Sequence, residues 1–246
     1  MKILVTNDDG YQSSGLQMLC SQLSLRGHDV YVIAPDGQRS GFSHAIDFHK
    51  NLTFRRLASY CGAKEAYICS GTPADCARIG YLHLGIKFDL LIAGPNNGAN
   101  SGRSIIYSGT VGAAEEGTMC GITSIALSRL GHGGPYFSTV EYLVDNLEKL
   151  ASIKLPNAFL NINVPDLPTS EIKGVKVCSQ SLQLPLFDDY YEEVEDGVVQ
   201  ILGKRMECPA DDSDVSWCDN GYITITPLSI SRTDYDSLTV LKSLEK

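Results

Sequence analysis

Positive charge is scarce in this chain: 20 Lys and Arg stand against 29 Asp and Glu in 246 residues, a formal net charge of −9 at pH 7. Broad binding to nucleic acid polymers or to an anionic membrane rests on a surplus of Lys and Arg, so neither is expected as a partner. An anionic substrate would have to be held by a metal or by local dipoles. Long apolar runs are missing too. No stretch of about 18 apolar residues occurs, and no basic segment with an apolar core precedes the first predicted strand, so the reading is a cytoplasmic protein. Cys20, Cys61, Cys69, Cys76, Cys120, Cys178, Cys208 and Cys218 show no CxxC spacing. Most have apolar neighbours such as Leu19, Ile68 and Met119 and read as reduced core thiols; Cys208 and Cys218, in a polar stretch, are the one pair to check. The five His form no HxH or HExxH pattern, which argues against zinc. A GxGxxG turn is absent after the first apolar run, which removes the usual dinucleotide site.

What the chain does have begins at its first residues. Ile3, Leu4 and Val5 form a short continuous apolar run of the kind buried on both faces of a parallel sheet. It stops on Asn7, Asp8, Asp9 and Gly10, so two adjacent carboxylates fall at the carboxyl end of a strand, where open α/β sheets place their ligands. Two such neighbours repel unless a cation or proton neutralises them. An all-oxygen site of this kind favours magnesium or manganese. On its own the same stretch also fits a solvated turn, because Asn, Asp and Gly are turn residues.

Further along, Leu16, Leu19, Cys20 and Leu23 share a helical face, and Asp29 to Ala34 reads as a second strand, giving a βαβ unit with parallel strands. Ser40 follows that strand on the same sheet edge as Asp8 and Asp9, where its hydroxyl can complete an oxygen set. Ile46 to Phe48 and Leu52 to Phe54 suggest a side hairpin, and Glu65 to Cys69 another strand. Thr72 then reads as an N-cap, with Pro73 at the first helical position, Asp75 as the first-turn acid, and Cys76, Ile79 and Gly80 facing inward. The strand Asp89 to Ala93 leads into a stretch rich in Asn and Gly that contains Asn96 and Asn100. Ser108, Gly109 and Thr110 stand where a helix begins, with Val111, Ala114 and Met119 expected on the sheet side. Such a start is a ready anion site, because its N–H groups and dipole favour phosphate. A strand over Gly121 to Leu127, a helix over Ser138 to Ser152 and a strand over Ala158 to Ile162 complete the rhythm. Beyond Gly174 the pattern turns to β runs, Val175 to Cys178, Val198 to Leu202 and Tyr222 to Thr226. The acidic stretch Asp188 to Asp196 is expected to be a solvated loop, and Asp234 to Leu244 a terminal helix.

The fold expected is α/β: a Rossmann-like three-layer sandwich with a mostly parallel sheet, plus a β-rich C-terminal arm and terminal helix used in oligomerisation. It reads as a single domain, with residues 1–170 the core and 171–246 the extension.

Taken in order, these stretches resemble the SurE family of survival-protein nucleotidases. The resemblance covers nearly the whole chain. It rests on Asn7-Asp8-Asp9-Gly10, Ala34-Pro35-Asp36 with Ser40-Gly41, Gly71-Thr72-Pro73-Ala74-Asp75-Cys76, Asn96-Asn97-Gly98-Ala99-Asn100 and Tyr107-Ser108-Gly109-Thr110-Val111. It continues through Asn161-Ile162-Asn163-Val164-Pro165 and Gly221-Tyr222 to Thr226-Pro227-Leu228. Two departures stand out: Ala93-Gly94-Pro95 replaces the family's usual Ser-Gly-Ile, and the arm lacks the usual Pro-Arg-Gly turn. The resemblance implies a metal-dependent phosphomonoesterase acting on nucleoside monophosphates, with the choice between 5′ and 3′ left open, and a swapped arm in a homodimer or homotetramer. It assigns Asp8, Asp9, Ser40 and Asn96 to one divalent metal ion, magnesium or manganese, and Ser108, Gly109, Thr110 and Asn100 to the phosphate.

Asp8 and Asp9 are then the expected catalytic pair, either through an attacking water or through direct attack by Asp8 to give an aspartyl phosphate. A nucleotide-binding or phosphoryl-accepting regulatory module without turnover is the alternative. A receiver-type module needs a phosphoacceptor Asp at a later strand end, and the strand 89–93 carries its acid, Asp89, at the wrong end.

Overall fold

In the computed structural model, residues 1–131, 133–182, 187–206 and 210–245 are described. β1 (Lys2–Thr6) is followed by α1 (Ser14–Leu25), β2 (Asp29–Pro35), β3 (Phe54–Arg56), β4 (Glu65–Cys69), α2 (Pro73–Leu82) and β5 (Leu90–Asn97). A 3-10 turn (Gly102–Tyr107) leads into α3 (Gly109–Met119), then β6 (Ser124–Arg129), α4 (Phe137–Asp145), α5 (Leu147–Ser152) and β7 (Ala158–Val164). The remainder is β8 (Val175–Val177), β9 (Phe187–Glu195), β10 (Val198–Arg205), α6 (Asp214–Asp219), β11 (Ile223–Ser229) and α7 (Tyr235–Leu241).

Nine strands form one sheet in the order β3-β4-β2-β1-β5-β6-β7-β11-β8. From β4 to β7 every pairing is parallel, while β3 on β4 and β11 on β7 are antiparallel. This is the mostly parallel three-layer α/β sandwich expected. Strand alternation explains its two cores. Ile3 and Val5 point to the side of α1 and α4, with Leu16, Leu19, Leu143 and Leu147. Leu4 points to the side of α2 and α3, with Cys76, Val111 and Ala114. Ile3, Leu4 and Val5 are all 0% exposed, as a doubly covered central strand requires.

Several expectations need correcting. Asp188 to Asp196 is largely strand, since β9 pairs antiparallel with β10 as a separate two-stranded sheet with Tyr191 opposite Ile201. Tyr190, Tyr191 and Val194 supply the β propensity that a count of acids hides. The side hairpin reduces to β3, with no strand at 46–48. The single helix 138–152 is two, α4 and α5, separated at Asn146, whose Nδ2 donates to Tyr142 O (2.9 Å). The strand at 121–127 begins later, at Ser124, because Gly121 and Ile122 bond back to the end of α3. Met119, in the last turn of α3, is 61% exposed instead of facing the sheet. β8 and β11 lie in the main sheet, so it draws strands from both sides of residue 170. Cys20, Cys61, Cys69, Cys76, Cys120 and Cys178 are free thiols, and Cys208, half of the pair singled out, lies outside the described residues.

Candidate active site

The sheet order fixes where a site can form. β2 and β4 lie to one side of β1, whereas β5, β6 and β7 lie to the other. Connections from the carboxyl ends of β1 and β5 therefore leave in opposite directions, and ligands of such sheets bind in the crevice this creates. Asp8 and Asp9 follow β1; Asn96 and Asn97 end β5.

Asp8 is 4% exposed, and its Oδ1 accepts a hydrogen bond from Thr110 Oγ1 (2.7 Å). Its carboxyl is pushed up from 3.8 to about 6. Burial is the main cause; the Thr110 hydrogen bond opposes it and the charge of Asp9 adds to it. Asp9 reaches across the crevice, its Oδ2 accepting from the backbone N–H of Asn97 (3.1 Å). Asn97 is in turn held by Arg129, whose Nη2 donates to Asn97 Oδ1 (2.7 Å). That guanidinium is 1% exposed, paired with Asp166 (3.0 Å) and stacked over Tyr136 (5.1 Å to the ring centre).

β5 gains one residue on β6 between Ala93 and Asn96, so the ladder passes from Ala93 opposite Ala126 to Asn96 opposite Ser128. Such a bulge re-aims the side chains that follow it. Asn96 Nδ2 donates to Gly98 O (2.7 Å), which leaves the amide oxygen as the atom for a cation. Ser40 is exposed, and its Oγ accepts from Gln38 Nε2 (3.2 Å). The loop bearing it is tied to the acids by Arg39, whose N–H donates to Asp8 O (2.7 Å).

Across from the acids, Ser108 caps α3, its Oγ accepting from Val111 N (3.1 Å). The first-turn amides of a helix have no partner within it and suit an anion; that of Thr110 already faces the Asp8 carboxylate and favours its charged form. Gly109 lies close against the acid loop: a Cβ there would sit tightly, 3.1 Å from the Asp8 Cβ and 3.3 Å from Arg39 O. Thr110 is fully buried, and its hydroxyl serves Asp8 in this arrangement.

Asn100 is fixed from the sheet. Its N–H donates to Asn163 Oδ1 (2.8 Å), while its carbonyl accepts from Asn161 Nδ2 (2.7 Å) and Asn163 Nδ2 (3.0 Å). Its own Nδ2 donates to Ser128 Oγ (2.8 Å). Asp214 Oδ2, from the C-terminal segment, accepts from Gly102 N (2.9 Å).

One cleft of about 420 Å³ is lined by Asp8, Ser40, Asn96, Asn100 and Ser108 together, with Tyr107 and Leu130 among its other walls. Asp9, Gly109 and Thr110 flank it through the contacts above. A larger hollow of about 930 Å³ shares Ser108 but includes neither carboxylate of the pair, so the smaller cleft is the chemical candidate. Its donors, two carboxylates, a hydroxyl and an amide oxygen, form a hard all-oxygen set that fits a divalent cation such as magnesium or manganese. A buried acid raised to about 6 beside a second acid also fits, because a cation relieves both burial and repulsion.

Residue-by-residue reading of the sequence missed the supports of this site: Asn97, Arg129, Asn161, Asn163 and Asp214. Asn161 and Asn163 did leave a signal. They alternate on β7, so they share one face of a strand whose residues 159–164 are all buried. Arg129 sits at the carboxyl end of β6 and carries no local pattern.

The chain is similar to known proteins over its whole length. The family model described as "Survival protein SurE" matches residues 3–184. The protein named 5′-nucleotidase SurE in Petrotoga mobilis is 40% identical over 252 residues, covering 99% of this chain and 98% of its own. The one in Synechococcus elongatus is 34% identical over 258 residues and 100% of both chains. The crystal structure of the SurE protein from Aquifex aeolicus superposes with a TM-score of 0.86 at 33% identity, over 100% of both chains.

Proposed function

The chain belongs to the survival protein SurE family, and from that premise we propose that it is a metal-dependent phosphomonoesterase. It hydrolyses nucleoside 5′-monophosphates, and 3′-monophosphates as well, to nucleoside and phosphate. The names of its relatives support the 5′-nucleotidase activity. The observation that carries the reading is the 2.7 Å bond from Thr110 to Asp8, which joins the acid pair to the start of α3. A cation site and an anion site then share one wall, as a phosphate with its counter-ion requires.

Asp8, Asp9, Ser40 and Asn96 would hold the divalent cation, magnesium or manganese. Bound there, it supplies Lewis-acid neutralisation of charge on the phosphate. The remaining work falls to the chain. Ser108, Gly109 and Thr110 at the start of α3 and the clamped Asn100 hold the phosphoryl oxygens, and the α3 dipole favours the charge that builds on them. Asp8 and Asp9 form the catalytic pair. Asp8 is buried in the wall of the cleft, and Thr110 sets the orientation of its carboxylate.

Copies of the chain associate, as a dimer or tetramer, through the C-terminal segment. Tyr191, Val199 and Ile201, which share one face of the β9–β10 pair by register, are 71%, 60% and 55% exposed, and no residue of α7 is buried. An apolar face this bare is normally covered by a partner. Among the described residues, no helix is long and apolar enough to cross a membrane.

The deciding experiment is phosphate release from a panel of nucleoside 5′- and 3′-monophosphates with Mn²⁺, Mg²⁺ or chelator. Metal-dependent release is expected; none from any substrate would refute the activity.

A further inference from the structure

The loop that carries Ser40 is fastened by a charged cluster that the proposed chemistry does not use. Beyond Ser40 the chain turns through Ser43, whose N–H donates to Tyr107 O (3.0 Å) and whose Oγ donates to Ile106 O (2.6 Å). It then lies directly on α3. A Cβ at Gly112 would come 2.5 Å from Ser43 O and 2.9 Å from His44 Cα, so only glycine admits the loop at this height. His44 follows, with its ring between two consecutive carboxylates of that helix. Nδ1 is 3.1 Å from Glu115 Oε2 and Nε2 is 2.8 Å from Glu116 Oε2.

A neutral imidazole has one N–H, so one of these two contacts would set a ring lone pair against a carboxylate lone pair. Only the imidazolium satisfies both. The carboxylates are well enclosed, with Glu116 2% and Glu115 13% exposed. Each also meets an arginine from another element. Arg78 of α2 lies 2.7 Å from Glu116, and Arg232, after β11, lies 3.3 Å from Glu115. The Cys120 thiol, 3.7 Å from Glu116, is the remaining titratable neighbour among these contacts.

We propose that His44, as an imidazolium bridging Glu115 and Glu116, is a positioning residue: it holds the 39–45 loop on α3 and so sets Ser40 against the end of the helix that meets Asp8. This rests on the reading above that Ser40 and the start of α3 face the substrate. The arginines keep the two glutamates charged, while the imidazole alone changes charge within the working range of pH.

The protonation balance points the same way. His44 is raised from 6.5 to about 9, chiefly by its hydrogen bonds to Glu115 and Glu116 and against the effect of burial. Glu116 is lowered, first by its bond to His44. At Glu115 burial pushes upward, but His44 and Arg232 outweigh it and the net shift is down. A raised basic group stabilises the form that holds it below its free value and ceases to as pH passes its bound value. The clamp is therefore fully present below pH 6.5 and is lost as pH rises through about 9. By linkage, the ratio of docked to undocked loop falls by about two orders of magnitude across that window.

The test uses the full-length chain, His44→Gln, which cannot donate from both ends, and His44→Arg, which stays charged. Amide hydrogen exchange over residues 39–45, read by mass spectrometry, should rise about tenfold or more at pH 7.5 in His44→Gln, as the lost ion pair implies. It should stay near wild type in His44→Arg. Wild type should approach His44→Gln only above pH 9, after correction for intrinsic exchange. With Mn²⁺ and a nucleoside monophosphate, kcat/KM of wild type should fall above about pH 9, and His44→Arg should move that limb to higher pH. Should His44→Gln fail to fold, Glu115→Gln replaces it, and nitrogen NMR should show the His44 ring titrating lower than in wild type. A ring that titrates near 6.5 in wild type, or unchanged loop protection in His44→Gln, would overturn the proposal. If wild type releases no phosphate at all, the activity reading fails, while the exchange and NMR measurements still decide the clamp.

Discussion

The carboxyl edge of the sheet and the β9–β10 hairpin are opposites in how they are held. At the edge, Asp8, Asn100, Ser108 and Thr110 are each under 8% exposed, and each is fixed by a hydrogen bond from another element or from a helix terminus. The hairpin carries Tyr190, Tyr191, Val194, Val198, Val199 and Ile201 at 48% exposure or more, and among the described residues its strands pair only with each other. Polar groups are buried at the edge, where an unpaired one costs on the order of 1–3 kcal/mol, so the fold must bring partners to them. Apolar groups are bare on the hairpin. An isolated two-stranded ribbon of this kind is at best marginally stable in water. The polar groups of the edge find their partners within one chain, and the hairpin is the surface that the association of copies proposed above would cover.

The sharpest way to break this contrast is at the acids. Asp9→Asn should leave the fold intact and reduce metal-dependent hydrolysis by about a thousandfold or more, because it removes one of the proposed metal ligands and half of the pair. Full activity in that variant would overturn the assignment. Asp8→Asn should be equally inactive yet more stable when chelator is present. An acid raised from 3.8 to about 6 costs the folded state nothing below pH 3.8 and its full penalty above pH 6. The shift corresponds to about 3 kcal/mol, so thermal unfolding at pH 7.5 should show a gain of that order that shrinks at pH 4.

Smaller effects sharpen the picture. Asn163→Ala leaves the Asn100 N–H unpaired and should destabilise the chain by about 2–3 kcal/mol while raising KM. Thr110→Val should cost about ten- to a hundredfold in kcat/KM, with Thr110→Ser restoring most of it, since the hydroxyl to Asp8 is what counts. Ile201→Lys on the hairpin should leave the thermal midpoint of the dissociated chain unchanged within error and lower the oligomer mass in sedimentation. An unchanged mass would place the contact between copies elsewhere.

Much of the fold was legible in the chain because its signals are local. Buried strands announce themselves as apolar runs such as Ile3 to Val5, helices as the spacing of Leu16, Leu19 and Leu23, and α2 by Thr72 and Pro73 at its start. The residues that gather around the candidate cleft, Asp8, Ser40, Asn96, Asn100 and Ser108, were legible for the same reason. Acids, hydroxyls and amides placed just after predicted strands must gather at one edge once those strands are parallel. Less legible was the hairpin, where acidic residues masked aromatic and branched ones. The break at Asn146 also lay beyond a helical pattern that runs through it without interruption.

The sequence by itself thus determined the layers, the edge on which the chemistry lies and the kinds of atoms gathered there, since each follows from periodicity and from what ends each strand. Only the tertiary structure decided how those atoms are aimed. Thr110 turns to Asp8 across 102 positions of chain, Asn163 fixes Asn100 across 63, and His44 bridges two glutamates, the farther 72 residues away. No local pattern encodes such partners. They are chosen by burial, because a polar group removed from water must find its partner wherever packing has put one.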